Sequence, residues 1–204
     1  MPAPLRDATP HVQVQQTAGQ SPEMTANRAD LWTAITGLPL LRVAAMLRTM
    51  SYTLRGLDPA LFEPLFQLDD EALAARGMRW MSVDEPVGFP CRISLEDAPV
   101  GESVLLLPFV HQECQSPYRA SGPIFVRRGV REARHIVGEL PPYLTRRLLS
   151  VRAYDQQHEI VDADVVDGAS TAPLIERYLA RDDVSYLHLH FARRGCYACR
   201  VDRL

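Results

Sequence analysis

Apolar and polar residues alternate along much of the chain after Ser51, as side chains do on the two faces of a β-strand. This pattern predicts a series of strands: YTLRG, RWMSV, CRISL, SVLLL, GPIFV, SVRAY, EIVDADVV, VSYLHLHF and CYACRV. Several follow one another without a helix between them, which favours antiparallel pairing. We therefore expect a single α+β domain over residues 51–204, built on a mostly antiparallel sheet with a few short helices.

Capping residues predict where those helices begin. Asp58 followed by proline is typical of a helix start, and the segment DDEALAARG restarts a helix at Asp69 or Asp70 and ends it at Gly77. The segment PPYLTRRLL opens on prolines as a short helix. Thr171 is expected to cap a longer helix that carries its apolar residues on one face: Leu174, Ile175, Tyr178 and Leu179.

Residues 1–49 differ from the rest because they are rich in Pro, Gln, Thr and Ala and show no period. They are expected to be a disordered extension, with one short helix over residues 31–47. That segment is interrupted by Gly37 and Pro39 and is shorter than the roughly 20 residues a membrane span needs. Met50 lies just before the first patterned strand, which suggests that the recorded start is upstream of the true one.

The composition excludes some classes of chemistry. The chain has 204 residues, 47% hydrophobic residues and a formal charge of -3, as expected of one globular domain without a nucleic-acid partner. All 22 basic side chains are arginine. Schiff-base and phosphate-loop lysine chemistry are therefore excluded, whereas the arginine fork suits carboxylates and phosphates.

Four cysteines in a chain of this length do not make a disulfide scaffold, and no charged-then-apolar leader opens the sequence. A cytoplasmic protein is expected, with no membrane partner. No pattern in the sequence predicts the oligomeric state.

The C-terminal segment YLHLHFARRGCYACRVDRL, residues 186–204, concentrates the candidate chemistry. Strand alternation places His188 and His190 on one face. Two imidazoles and the thiolates of Cys196 and Cys199 would make a tetrahedral Cys2His2 zinc site. On a flat strand, however, cysteines three apart point to opposite faces, so shared ligation requires the backbone to turn between them. A zinc site is the preferred prediction.

Two alternatives for this cluster stay open. The CxxC spacing also occurs in redox pairs, but such a site needs a following helix to lower the thiol pKa, and only five residues follow Cys199. The other alternative is a structural hairpin with two small packed thiols.

Further candidates lie outside the cluster. Cys91 precedes Arg92, so it is a candidate reactive thiol, although packing is the commoner role of a lone cysteine. Asp162 and Asp164 share one strand face, where they could bind a hard cation or act as acid and base, or be a solvated face.

An alternative hypothesis is that the protein binds a small anionic ligand in a site lined by arginines. Its candidate residues are Arg119, Arg193, Arg194 and Arg200. Arg119 lies in the loop HQECQSPYRASGP, which also holds His111 and Cys114.

Several separated blocks resemble, in order, the bacterial domain-of-unknown-function family numbered 1203: GFPCRISLEDAPVGESVLLLPFVHQ, SPYRASGPIFVR, LLSVRAYD, VDADVVDG and HLHFARRGCYACRV. The resemblance covers about residues 51–204 and leaves the first 50 outside. It implies no established activity. It does imply that six candidate residues lie in family motifs: Cys91, Arg119, His188, His190, Cys196 and Cys199.

Overall fold

The strand pattern folds into two β-sheets in the computed structural model, which describes residues 51–204. All strand pairs are antiparallel except one. The predicted α+β class with a mostly antiparallel sheet is therefore confirmed. The expectations for residues 1–49, a disordered extension with a helix at 31–47, lie outside the described residues.

The larger sheet has six strands in the order β7-β1-β11-β10-β8-β9. Their bounds are β1 Tyr52–Arg55, β7 His135–Val137, β8 Leu148–Tyr154, β9 Ile160–Asp167, β10 Tyr186–Phe191 and β11 Cys196–Arg203. The C-terminal hairpin β10–β11 thus occupies the middle of the sheet, where both of its strands are paired on two sides. This position accounts for the burial of all six residues of β10.

The smaller sheet has five strands in the order β2-β5-β6-β3-β4. Their bounds are β2 Arg79–Ser82, β3 Pro90–Cys91, β4 Glu96–Asp97, β5 Ser103–Gln112 and β6 Ala120–Arg127. The one parallel pair joins β3 to β6 through Cys91 and Phe125. The predicted strand CRISL is wrong beyond its first residue, because the chain turns at once from β3 into β4. Leu95 adopts a φ of 54° there, and its amide donates to the Cys91 carbonyl at 3.1 Å.

Within residues 51–204, three short α-helices lie between the strands: α1 Asp70–Ala74, α2 Pro142–Thr145 and α3 Thr171–Leu179. Asp69 caps α1 by accepting from the Ala72 amide at 2.8 Å. The helix predicted at Asp58 is two 3-10 turns, Pro59–Leu61 and Leu65–Gln67, with Pro64 between them. Thr171 is the first residue of α3 rather than its cap.

Strand alternation divides the buried residues between the two faces of the larger sheet. Leu187 and Leu189 point to a core that α2 and α3 cover, whereas the intervening His188 contacts His111 of the smaller sheet. Separate apolar clusters pack on the smaller sheet around Phe62, Ile93 and Val104. Among the described residues, no helix is long and apolar enough to cross a membrane.

Candidate functional site

A four-residue turn joins β10 to β11 and displays two arginines. Phe191 pairs with Cys196, and the turn Ala192–Gly195 lies between them. Gly195 has a φ of 74°, a conformation that favours glycine, and its amide donates to the Phe191 carbonyl at 2.8 Å. Arg193 and Arg194 are exposed at the tip of this turn.

A β-bulge after the turn decides where the cysteines point. Tyr197 pairs with His190, but Cys199 pairs with Leu189, so Ala198 is an extra residue in β11. Directly paired residues share a face. Cys196 and Cys199 therefore both face the helix-covered core, in which Cys199 is buried and against which Cys196 packs. The flat-strand expectation of opposite faces is wrong, and the bulge is the reason.

The structure consequently separates the predicted zinc ligands into two pairs. His188 and His190 lie on the face toward the smaller sheet, and Cys196 and Cys199 lie on the other face. Burial raises the pKa of the Cys199 thiol to about 12, with Arg92 partly opposing the effect. Cys199 is therefore a neutral, inaccessible thiol, which suits packing better than thiolate ligation. All four cysteines are free thiols.

An open pocket of about 640 Å³ lies beside the hairpin turn. It is lined by Glu85, Val87, Gly88, Pro90, Arg92, Leu106, Pro123, Phe125, Arg146, Arg147, Leu148, Phe191, Arg193, Arg194 and Cys196. Five of these residues are arginines and one is acidic. The predicted candidates Arg193, Arg194 and Cys196 thus come together in one place.

Two of the five guanidinium groups are fixed by the protein. Arg92 is 2% exposed, and it donates to the carbonyls of Tyr197, at 2.8 Å, and Pro90. Arg147 forms a bidentate ion pair with Asp97, in which the Nη1 of Arg147 lies 3.0 Å from the Oδ2 of Asp97. Both lie over the Phe191 ring, 5.1 and 5.0 Å from its centroid. The aromatic ring and the carbonyls hold these charges in a defined geometry.

The other three guanidinium groups are available to a ligand. Arg146, Arg193 and Arg194 are exposed and make no side-chain hydrogen bond or ion pair with any residue of 51–204. Arg92 likewise has no carboxylate partner within that part of the chain. The pocket therefore carries an excess of positive charge that the described residues do not neutralise.

A second cluster lies between the sheets. His188 and His190 are 2% and 0% exposed, and His111 of β5 meets them from the smaller sheet. Tyr197 stacks on His111, with ring centroids 5.2 Å apart. Burial lowers the pKa of all three histidines, to about 3 for His190, and nearby Arg152 lowers those of His111 and His190 further. The imidazoles are therefore neutral at pH 7.

The match to a protein family covers both clusters. The profile of a protein family of unknown function, DUF1203, matches residues 88–203, which include the hairpin, most of the pocket and all three histidines. The chain belongs to DUF1203. No curated protein and no solved structure matches it.

The carboxylates predicted as candidates in this DUF1203 chain are engaged by helix α3. Asp162 accepts from the Tyr178 hydroxyl at 3.1 Å and pairs with Arg181 at 2.5 Å. Asp164 lies 3.9 Å from Arg177 in an exposed ion pair. The structure thus shows both carboxylates joining β9 to the helix region.

The remaining candidates lie apart from the pocket. Cys91 is fully buried in the apolar cluster of the smaller sheet. Arg119 is exposed on the loop before β6 and does not line the arginine pocket. Arg200 donates to Asp202 at 2.8 Å and lies 3.8 Å from the Tyr186 ring centroid.

Sequence reasoning missed three pocket arginines and the position of one histidine. Arg92 lies in the turn after β3, and Arg146 and Arg147 follow α2, so all three are far along the chain from the hairpin turn. Only the packing of the two sheets against each other brings them together. His111 was noted in its loop, but no periodicity could place it against β10.

Proposed function

We propose that this DUF1203 protein binds a small organic anion, a carboxylate or a phosphate compound, in the arginine pocket. The observation that carries the proposal is the set of five arginines around one pocket, four of them without a carboxylate partner in residues 51–204. Because all four cysteines are free thiols, we place this activity in the reducing cytoplasm.

The pocket suits a ligand that has both a charged end and an apolar body. Its volume of about 640 Å³ lies within the range of small-molecule sites. Phe125 and Phe191 contribute apolar walls, and the guanidinium groups offer paired donors that match carboxylate or phosphate oxygens. A neutral ligand would leave the positive charge uncompensated.

Phenyl phosphate combines the two features and is a suitable probe, with benzyl alcohol as its neutral counterpart. In isothermal titration calorimetry, phenyl phosphate should bind and benzyl alcohol should not. The double variant Arg193→Gln, Arg194→Gln should weaken binding about tenfold, since an exposed ion pair contributes about 0.7 kcal/mol and two of them about 1.4 kcal/mol. Added salt should weaken binding further.

Arg119→Gln provides the matched control because Arg119 is an exposed arginine outside the pocket. It should bind phenyl phosphate as the unmodified protein does. Equal affinity for the double variant and the unmodified protein would contradict the proposal, as would equal losses in the double variant and in Arg119→Gln. The latter result would indicate a general charge effect.

A further inference from the structure

The Cys196 thiol shares the arginine pocket with three exposed guanidinium groups. Cys196 is partly exposed and lines the pocket together with Arg146, Arg193 and Arg194. Its Sγ lies 3.8 Å from the carbonyl oxygen of Arg194. The sulfur atom thus lies at the base of the turn whose tip carries two of the arginines. A nucleophilic side chain and several positive charges therefore border the same space.

Arg92 gives an independent indication that this pocket holds an anion. It is 2% exposed, and its Nε and Nη1 donate to the carbonyls of Tyr197 and Pro90. Its Nη2 makes no hydrogen bond with a residue of 51–204, yet this atom is not sealed from solvent, so it opens onto the pocket. A largely buried charge without a counter-ion is costly. A negative group on the ligand would remove that cost.

Phe191 connects the buried charge with the thiol. Phe191 pairs with Cys196 across the hairpin, and paired residues have their Cβ atoms about 4.5–5.5 Å apart on one face. The guanidinium carbon of Arg92 lies 5.1 Å from the centre of the Phe191 ring. A carboxylate held by Arg92 beside this ring therefore brings the rest of a short ligand toward the Cys196 sulfur.

We propose that the pocket directs small electrophilic carboxylates to Cys196, which makes this thiol the selective modification site of the protein. The inference rests on the proposed anion binding and adds a covalent reaction to it. With an α-halo carboxylate, the thiol loses its proton to solvent and the sulfur forms a bond to the carbon that bears the halogen. The carbon–halogen bond breaks, and the halide leaves with the bonding electrons. The reaction needs no oxidant and no further reactant.

The other three cysteines lack this arrangement. Cys91 and Cys199 are fully buried in apolar clusters, where a charged reagent has no access. Cys114 is partly exposed on the loop between β5 and β6 and does not line the arginine pocket. Its neighbour in the chain is the acidic Glu113. Cys114 is therefore an internal control that has the partial exposure of Cys196 without its arginines.

The test compares iodoacetate with iodoacetamide, two reagents of nearly equal size that share a leaving group and differ in charge. Labelling rates at each cysteine are measured by mass spectrometry on the full chain at pH 8 and low salt. The ratio of the iodoacetate rate to the iodoacetamide rate should be at least about tenfold higher for Cys196 than for Cys114. Clefts lined by charges of one sign raise the association rates of oppositely charged molecules by about 10- to 1,000-fold. Salt should lower the Cys196 ratio.

Variants and a competitor assign the effect to the pocket. The double variant Arg193→Gln, Arg194→Gln should lower the Cys196 ratio severalfold, whereas Arg119→Gln, outside the pocket, should leave it unchanged. Phenyl phosphate should slow the reaction of iodoacetate with Cys196 and not with Cys114.

Calorimetry with phenyl phosphate on the unmodified protein separates this inference from the proposed function. If phenyl phosphate binds and the two cysteines show equal ratios, the pocket holds anions without directing them to Cys196, and the inference alone is overturned. If phenyl phosphate does not bind and the ratios are equal, both are overturned. A higher ratio at Cys196 that phenyl phosphate abolishes is the expected result.

Discussion

Alkylation of the native protein should separate its four cysteines into two classes. Cys91 and Cys199 are 0% exposed, whereas Cys114 and Cys196 are partly exposed. Iodoacetamide reacts with the thiolate, so both burial and a raised pKa slow the reaction. We expect Cys114 and Cys196 to label in the native protein and Cys91 and Cys199 to be protected.

The magnitude for Cys199 follows from its pKa, which burial raises from 9.0 to about 12. At pH 8, about a tenth of a thiol with the ordinary pKa is ionised, against about one part in ten thousand at a pKa of 12. Native Cys199 should therefore react at least about 1,000-fold more slowly than Cys199 in the urea-unfolded chain. Steric protection adds to this factor.

Mass spectrometry with isotope-coded iodoacetamide measures the two rates in one sample. Cys196 and Cys199 lie in the same tryptic peptide, residues 195–200, so fragmentation must assign the label to one or the other. Labelling of native Cys199 within about tenfold of the unfolded rate would refute the burial argument. Chelator-dependent labelling of both cysteines would instead support thiolate ligation.

The same samples test a redox pair. Cys199 is 0% exposed and burial raises the pKa of its thiol to about 12, so this thiol is neither accessible to an oxidant nor ionised. Mild oxidation with diamide should therefore not link Cys196 to Cys199 in the native protein. Formation of that disulfide without loss of the native circular dichroism spectrum would show that β11 turns between them.

Two further predictions concern the fold. Gly168→Ala should destabilise the protein by at least about 2 kcal/mol in urea unfolding, because the new Cβ would lie 2.1 Å from the Leu144 carbonyl oxygen. The control is Gly122→Ala, whose Cβ would meet only His111 Cε1 at 4.0 Å and which should change stability by less than about 1 kcal/mol. Equal effects of the two substitutions would contradict the steric reasoning. A chain that begins at Met50 should keep the melting temperature of the full chain, since the first 49 residues lack an apolar pattern that could pack on the domain. A fall of several degrees in differential scanning calorimetry would show that these residues do pack on the domain.

Local pattern was sufficient to predict the strands, the fold class and the shared face of His188 and His190. Those features depend on alternation within one segment, which a period of two residues makes visible. Local pattern was not sufficient to predict the turn in CRISL. The tight connection between β3 and β4 depends on a positive φ at Leu95, a conformation that leucine does not favour. Local pattern also could not predict the arginine pocket, because Arg92 and Arg193 come together only through tertiary packing.

The bulge at Ala198 explains why a flat strand misplaces the two cysteines. In a regular strand, shifting the register by one residue moves every following side chain to the opposite face. With Tyr197 opposite His190, a β11 without the extra residue would pair Leu189 with Ala198 and His188 with Cys199, which would put that thiol on the imidazole face. The extra residue instead pairs Cys199 with Leu189 and turns it into the apolar core. One inserted residue thus decides whether the Cys199 thiol faces the imidazoles of the hairpin or the apolar core.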